Sequence, residues 1–222
     1  MRLDRLASPR VPAGALLVVP LGATEQHGPH LPLGTDTAIA AAVADRLAEA
    51  WTGRPIVVAP ALAYGSSGEH AGFAGTLSIG QAALEMVVVE LVRSADAFAG
   101  TVLVSAHGGN AAPLARAVAT LTAEGRRVLC WAPRPGGDAH AGRTETSLML
   151  AIAPDEVALR AAAAGDTRPL GVLAPALRAG GVAAVSPNGV LGDPGGATAD
   201  EGWALLATMT ADLLAAVRRW AA

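Results

Sequence analysis

Glu25 and His27 stand two residues apart, and on an extended segment both side chains point to one side. Asp36 lies where a helical pattern begins, so helix-terminal N–H groups can hold its carboxylate while it faces a cation. His107 follows an apolar run directly and opens a glycine-rich turn, His107-Gly108-Gly109-Asn110. Glu145 follows His140 by five residues. Mixed carboxylate and imidazole suits Zn²⁺, Mn²⁺ or Fe²⁺, whereas Mg²⁺ favours fewer imidazoles. All five histidines fall in four polar segments, 21–37, 64–70, 107–110 and 138–147. Each residue also has a plainer reading. Glu25 can be an exposed loop carboxylate, Asp36 an N-cap, His30 a packing histidine and His70 a turn closure. The joint placement is what favours a metal site.

The elements that must position these loops are legible from periodicity. Strands are expected at Leu16–Val19, ended by Pro20, and at Ile56–Ala59, Thr101–Ser105 and Val128–Ala132. Helices are expected over Thr37–Trp51, from a Ser78/Gln81 capping box to Phe98, after an Asn110 cap, over Thr144–Ile152, and from a Thr198/Glu201 box to Trp220. Val182–Val185 reads as a short strand, and the Gly- and Pro-rich 165–196 segment as irregular cover over the sheet edge or the site. This βαβα order implies an α/β fold of three layers, a mainly parallel sheet with helices on both faces. Without a linker or repeat, residues 1–222 read as one domain. Ligands of such folds bind beyond the carboxyl ends of the strands, where the four polar loops lie.

Composition narrows the function. Hydrophobic residues make up 52% of the 222, charged residues 16%, and the net charge is -3, which disfavours a polyanion binder. Aromatic content of 3% gives no stacking platform for nucleic acid. All 16 basic residues are arginine, which excludes a Schiff-base lysine and a Walker-A loop. Cys130 is the sole cysteine, which excludes intrachain disulfides and Cys-cluster zinc sites. It sits in an expected strand, and there is no G-x-S-x-G elbow, so serine and cysteine nucleophiles are disfavoured. No secretory leader pattern and no apolar run of about 18 residues is present, so no membrane span and a cytoplasmic location are expected.

The run Thr24-Glu25-Gln26-His27-Gly28-Pro29-His30-Leu31-Pro32-Leu33-Gly34-Thr35-Asp36 resembles the signature of the creatininase family of metal-dependent amidohydrolases. Gly68-Glu69-His70, Gly75-Thr76-Leu77-Ser78, His107-Gly108-Gly109-Asn110 and His140-Ala141-Gly142 with Glu145-Thr146-Ser147 follow in order. The segments 64–70, 138–147 and 181–194 are similar, more closely, to the branch of that family found in the mycofactocin system. That resemblance implies a peptidase acting on a small modified precursor peptide. It would release the C-terminal Val-Tyr unit that a radical enzyme has decarboxylated and crosslinked.

The family pattern implies Glu25, His27, Asp36 and His107 as ligands of one or two divalent metals (Zn, Fe or Mn). Asp36 would bridge; one metal would take Glu25 and His107, the other His27. Creatininase has a glutamate two residues after the third-strand histidine, where this sequence has Gly109, and Glu145 is the candidate replacement. It also has a tryptophan four residues before the histidine matching His140, where this sequence has Gly136 within Pro135-Gly136-Gly137; an open loop suits a peptide better than a small ring. The cation would acidify a water for attack on the amide carbonyl. His140 is the candidate general acid for the leaving amine. The N–H groups of Gly108 and Gly109 are candidate oxyanion donors, and Glu69 and His70 are expected to line the substrate side. The resemblance further implies a homo-oligomer, a hexamer being favoured. Competing expectations are a formamide hydrolase, for which no arginine cluster lies near the motifs, creatininase activity itself, and a non-catalytic metal-binding pathway subunit.

Overall fold

In the computed structural model, which describes residues 1–133 and 136–221, four strands form one sheet in the order β2-β1-β3-β4. They are β1 (Leu16–Leu21), β2 (Ile56–Val58), β3 (Gly100–Ser105) and β4 (Val128–Trp131), and every pairing is parallel. All six residues of β1 and of β3 are buried, as expected of strands covered on both faces. Their side chains alternate. Leu16, Val18, Val102 and Val104 face α1 (Thr35–Ala50), α4 (Arg143–Ile152) and α6 (Ala199–Ala221) through Val43, Leu148 and Leu213. Leu17, Val19 and Leu103 face α2 (Gly80–Arg93) and α3 (Ala111–Ala123) through Leu84, Val88, Leu114 and Leu121. The result is the expected three-layer α/β fold.

The order reverses at β1, so the loops leaving β1 and β3 flank a switch-point crevice. No helix of the described residues is long and apolar enough to cross a membrane.

Several local expectations are corrected. Pro20 does not end β1: proline lacks only the donor, and its carbonyl still accepts from Leu62 N–H at 2.9 Å. Ser78 does not cap α2. Its hydroxyl accepts from Ser67 N–H (2.9 Å) and Gly80 N–H, and α2 starts at Gly80. That helix ends at Arg93 rather than Phe98, where Ser94 Oγ turns back to the Leu91 carbonyl (2.7 Å). The Asn110 amide caps nothing; it accepts from Ser66 N–H and donates to Gly22 O, both at 3.0 Å, tying three loops together. Thr198 does cap α6 through Glu201 N–H, but the Glu201 carboxylate goes to Arg143 and Ser147 instead of closing a box.

Val182–Ala184 is a 3-10 turn, not a strand, entered through Gly181 at φ +69°. The segment read as irregular carries α5 (Leu170–Gly180). Leu173 of that helix joins Val182 and Leu191 in a small core with Phe73. Leu191 in turn forms a two-way backbone bridge with His140, so this segment pins the His140 loop.

Candidate metal centre

The chain leaving β1 doubles back on itself. Gly28, at φ +66°, turns it so that His27 bridges Leu31, and Glu25 N–H donates to Leu33 O at 3.0 Å. This fold aims Glu25 and His27 at Asp36 on the first turn of α1, and donor atoms of all three lie within 4.8 Å of one another. His107, at the end of β3, comes in from the other side of the crevice. Its Nδ1 is 3.2 Å from Glu25 Oε1 and 3.3 Å from Asp36 Oδ2. The other Asp36 oxygen, Oδ1, is 3.4 Å from His27 Nε2. One carboxylate thus shows one oxygen to each histidine.

Whether these groups fit a cation can be tested on their hydrogen bonding. Glu25 and His27 are 0% exposed and Asp36 2%, yet Glu25 Oε1 and Oε2, His27 Nε2 and Asp36 Oδ2 have no hydrogen-bond partner. Buried orphans cost about 1–3 kcal/mol each unless something satisfies them. The imidazoles are also held in the tautomers a cation needs. His27 Nδ1 is 3.1 Å from Glu25 O, so it donates there and leaves Nε2 bare. His107 Nε2 is 2.9 Å from Ser66 O, so it donates there and leaves Nδ1 bare. The residues fit a divalent metal.

Glu145 reaches the same cluster from the first turn of α4. Its Oε2 is 3.9 Å from His27 Nε2 and accepts from Ala141 N–H at 2.6 Å. Ala141 sits at φ +52°, a conformation that costs a non-glycine residue energy and that this bond helps to hold. Glu69 lies on the far side of His107, 3.8 Å from Nε2, with its side chain 37% exposed. A Cβ at Gly109 would collide with the Ser66 carbonyl and the Glu69 carboxylate, so a glutamate does not fit there. Gly108 and Gly109 open the 3-10 turn that follows His107. Gly136 is exposed in open space, while Pro135 lies outside the described residues.

In the metal-free chain these charges bias one another. Burial opposes the charged form of His27, but Asp36, aided by Glu145 and Glu25, outweighs it and raises the pKa to about 9. Burial likewise opposes charge on His107, and Asp36 and Glu25 raise it to about 11. The same two histidines overcome burial at Asp36 and hold it well below the usual carboxylate range. Burial pushes Glu145 up to about 7 and Glu69 upward as well.

His140 and His70 are buried beside the cluster. His140 Nε2 is 2.8 Å from Gln26 O and its Nδ1 is 3.9 Å from Glu25 Oε1. Donor atoms of His140 fall within ligating reach of Glu25 with His70, and of His27 with Glu145. Burial and the neighbouring His27 and His70 push His140 well below its ordinary value, and burial lowers His70 to about 4. His30 stays out of the cluster, bonded to Thr146 Oγ1 at 2.8 Å. Gln26, unremarked in the sequence, contacts His70, His140 and Gly189 at once.

Comparison with known proteins identifies the family. The family model described as creatininase, creatinine amidohydrolase, matches residues 6–217. Proteins named mycofactocin precursor peptide peptidase, from Mycolicibacterium smegmatis and Mycobacterium tuberculosis, are each 52% identical, with 92% of this chain and 85% of theirs covered. A solved mutant creatininase of Zn–Zn type is 25% identical, with a TM-score of 0.71 over 93% of this chain and 90% of that one. The match spans nearly the whole sequence and includes every element that carries the cluster, so the chain belongs to the creatininase family.

Proposed function

We propose that the chain is a metal-dependent peptidase that releases the modified C-terminal Val-Tyr unit from the mycofactocin precursor peptide. The observation that carries the substrate is the 52% identity to proteins named for that activity. The exposed, open Gly136 supports the same reading, since a peptide needs an unobstructed approach that a small ring does not. Glu25 and His107 would hold one divalent cation, His27 and Glu145 a second, with Asp36 shared. Asp36 Oδ1 and Oδ2 facing different histidines supports the sharing, and the Zn–Zn creatininase supports the count. When bound, such a cation supplies Lewis-acid polarisation of an amide carbonyl and acidifies water.

The chain's own residues do the rest. His140 is neutral with Nδ1 bare toward the cluster, so at Nδ1 it would take the proton shed by the attacking water and pass it to the leaving amine as the C–N bond breaks. Gly108 and Gly109, in the turn after His107, would offer their N–H groups to the developing oxyanion. Glu69, half-buried beside His107, and His70, buried against Glu25, would line the substrate side. Exposed Met86 and Val87 on α2 offer apolar surface for a homo-oligomer, which sedimentation would measure.

Mass spectrometry of the modified precursor peptide, incubated with chain loaded with Zn²⁺, Mn²⁺ or Fe²⁺, tests the activity. Release of the modified dipeptide is expected. No cleavage, alongside brisk creatinine hydrolysis, overturns it.

A further inference from the structure

We propose that Gln26 and His70 are a positioning pair for the carboxylate of Glu25. The Gln26 amide fixes the His70 proton on Nε2, so His70 presents an N–H to Glu25 and offers no lone pair to a cation.

The argument starts from the amide, whose orientation is forced. Gly28 N–H approaches Gln26 at 2.9 Å and requires Oε1 there; Gly189 O lies 3.0 Å from the other end and requires Nε2 there. The Nε2 group has two hydrogens and three neighbours, Gly189 O at 3.0 Å, His70 Nδ1 at 2.8 Å and His140 Nε2 at 3.1 Å. His140 Nε2 donates to the Gln26 main-chain carbonyl, 2.8 Å away, and so cannot also accept, which leaves the hydrogens to Gly189 O and His70 Nδ1. A protonated Nδ1 would set donor against donor, so Nδ1 accepts and the neutral ring carries its proton on Nε2. That Nε2 is 3.3 Å from Glu25 Oε1, a buried contact that is not a formed hydrogen bond in the metal-free chain and that a small shift of the carboxylate would close. Groups that hold a metal-ligating side chain from behind commonly contribute 10- to 100-fold to metal affinity.

His140 provides an internal contrast. It has the same tautomer, set by the Gln26 main-chain carbonyl 2.8 Å from Nε2, but turns the opposite edge of its ring to the cluster. A change in the Gln26 side chain removes the donor to His70 and alters a 3.1 Å contact with His140 Nε2, while the main-chain acceptor that sets the His140 tautomer stays in place.

The inference rests on the metal reading above for the role of Glu25; the tautomer assignment does not. Long-range ¹H–¹⁵N correlation on metal-free chain labelled at histidine reads each ring nitrogen directly. In the wild type, His70 is expected to show a protonated Nε2 and a bare Nδ1. In Gln26→Glu the new carboxylate accepts, so His70 Nδ1 should gain a proton while His140 Nδ1 stays bare. A wild-type His70 protonated on Nδ1 and bare on Nε2 overturns the proposal, even if the variant fails to fold. On Zn²⁺ loading, the His70 Nε2 proton should persist; its loss would make His70 a ligand. Chelator competition supplies the second readout. His70→Leu should weaken Zn²⁺ binding by about 10–100-fold, while His70→Gln, which places an N–H at the same reach, should stay within a few-fold of wild type. Equal loss in both refutes a donor role. If the wild-type chain takes up no Zn²⁺, the metal reading fails, and the metal-free spectra still decide the tautomer.

Discussion

Loading the metal-free chain should expel protons, and the mutual charges of the site set the number expected. In the absence of a cation His27 is raised to about 9 and His107 to about 11, so both are protonated near pH 7.5. A cation requires the lone pair that each of those protons occupies, on His27 Nε2 and His107 Nδ1, the nitrogens left bare by the backbone bonds to Glu25 O and Ser66 O. Asp36, held low by the same histidines, has none to give. Uptake should therefore release about two protons, and apparent affinity should climb about 100-fold per pH unit between pH 7 and 9. Below pH 7, Glu145 at about 7 adds up to a third. Above 9 the release should fall, reaching one as His27 empties and vanishing beyond 11. The linkage on folding has the matching sign. Both histidines have folded pKa values above the ordinary 6.5, so their contribution to the metal-free fold is complete below 6.5 and is lost as pH rises through 9 and then 11. Titration calorimetry of Zn²⁺ uptake in buffers of different ionisation enthalpy measures the release as a slope. His107→Ala should lower it by about one while reducing metal content. A slope near zero at pH 7.5 would mean that the histidines are neutral before the cation arrives, and the reasoning from mutual charge would be wrong.

Three further outcomes follow from the same geometry. Glu145→Gln keeps the acceptor for Ala141 N–H but removes the charge 3.9 Å from His27, so metal content per chain should fall by elemental analysis with the fold retained; a metal-loaded structure with Glu145 more than about 4 Å from every metal would exclude it as a ligand. His140→Ala should keep metal and fold, lose on the order of 10²–10⁴ in turnover and lose one limb of the pH–rate profile; loss of metal instead would make His140 a ligand, and nearly full rate would make it a bystander. Gly109→Glu, which restores the creatininase pattern, should lower thermal stability by about 1–3 kcal/mol because the Ser66 carbonyl cannot give way, and should gain no creatinine hydrolysis.

The parts of this molecule legible in its sequence are those whose cause is local. Leu16–Val19 and Thr101–Ser105 read as buried strands because a strand covered on both faces needs no polar alternation. The loops bearing Glu25, His27, Asp36 and His107 were legible because unlike chemistry interrupts apolar runs at the strand ends. Where a side chain chose a distant partner, local reading failed. Ser78 is spaced to cap α2, yet Ser67 N–H, eleven residues back, claims its hydroxyl. Helix α5 was hidden by Gly171 and by Pro175 within it, and it is sustained by Leu173 packing on Val182 and Leu191.

Gln26 is the sharpest case of that limit. A neutral amide between two metal-type residues carries no sign of its own, and its orientation depends on Gly189, 163 residues away. A Cβ at position 189 would strike the Gln26 amide oxygen, so the glycine is there to let the amide approach. The same segment, one residue pair further on, bridges Leu191 to His140. The covering segment thus sets both histidines behind the cluster, one through an amide and one through a backbone bridge. Its disruption should disturb the protons of the site before it disturbs the sheet beneath.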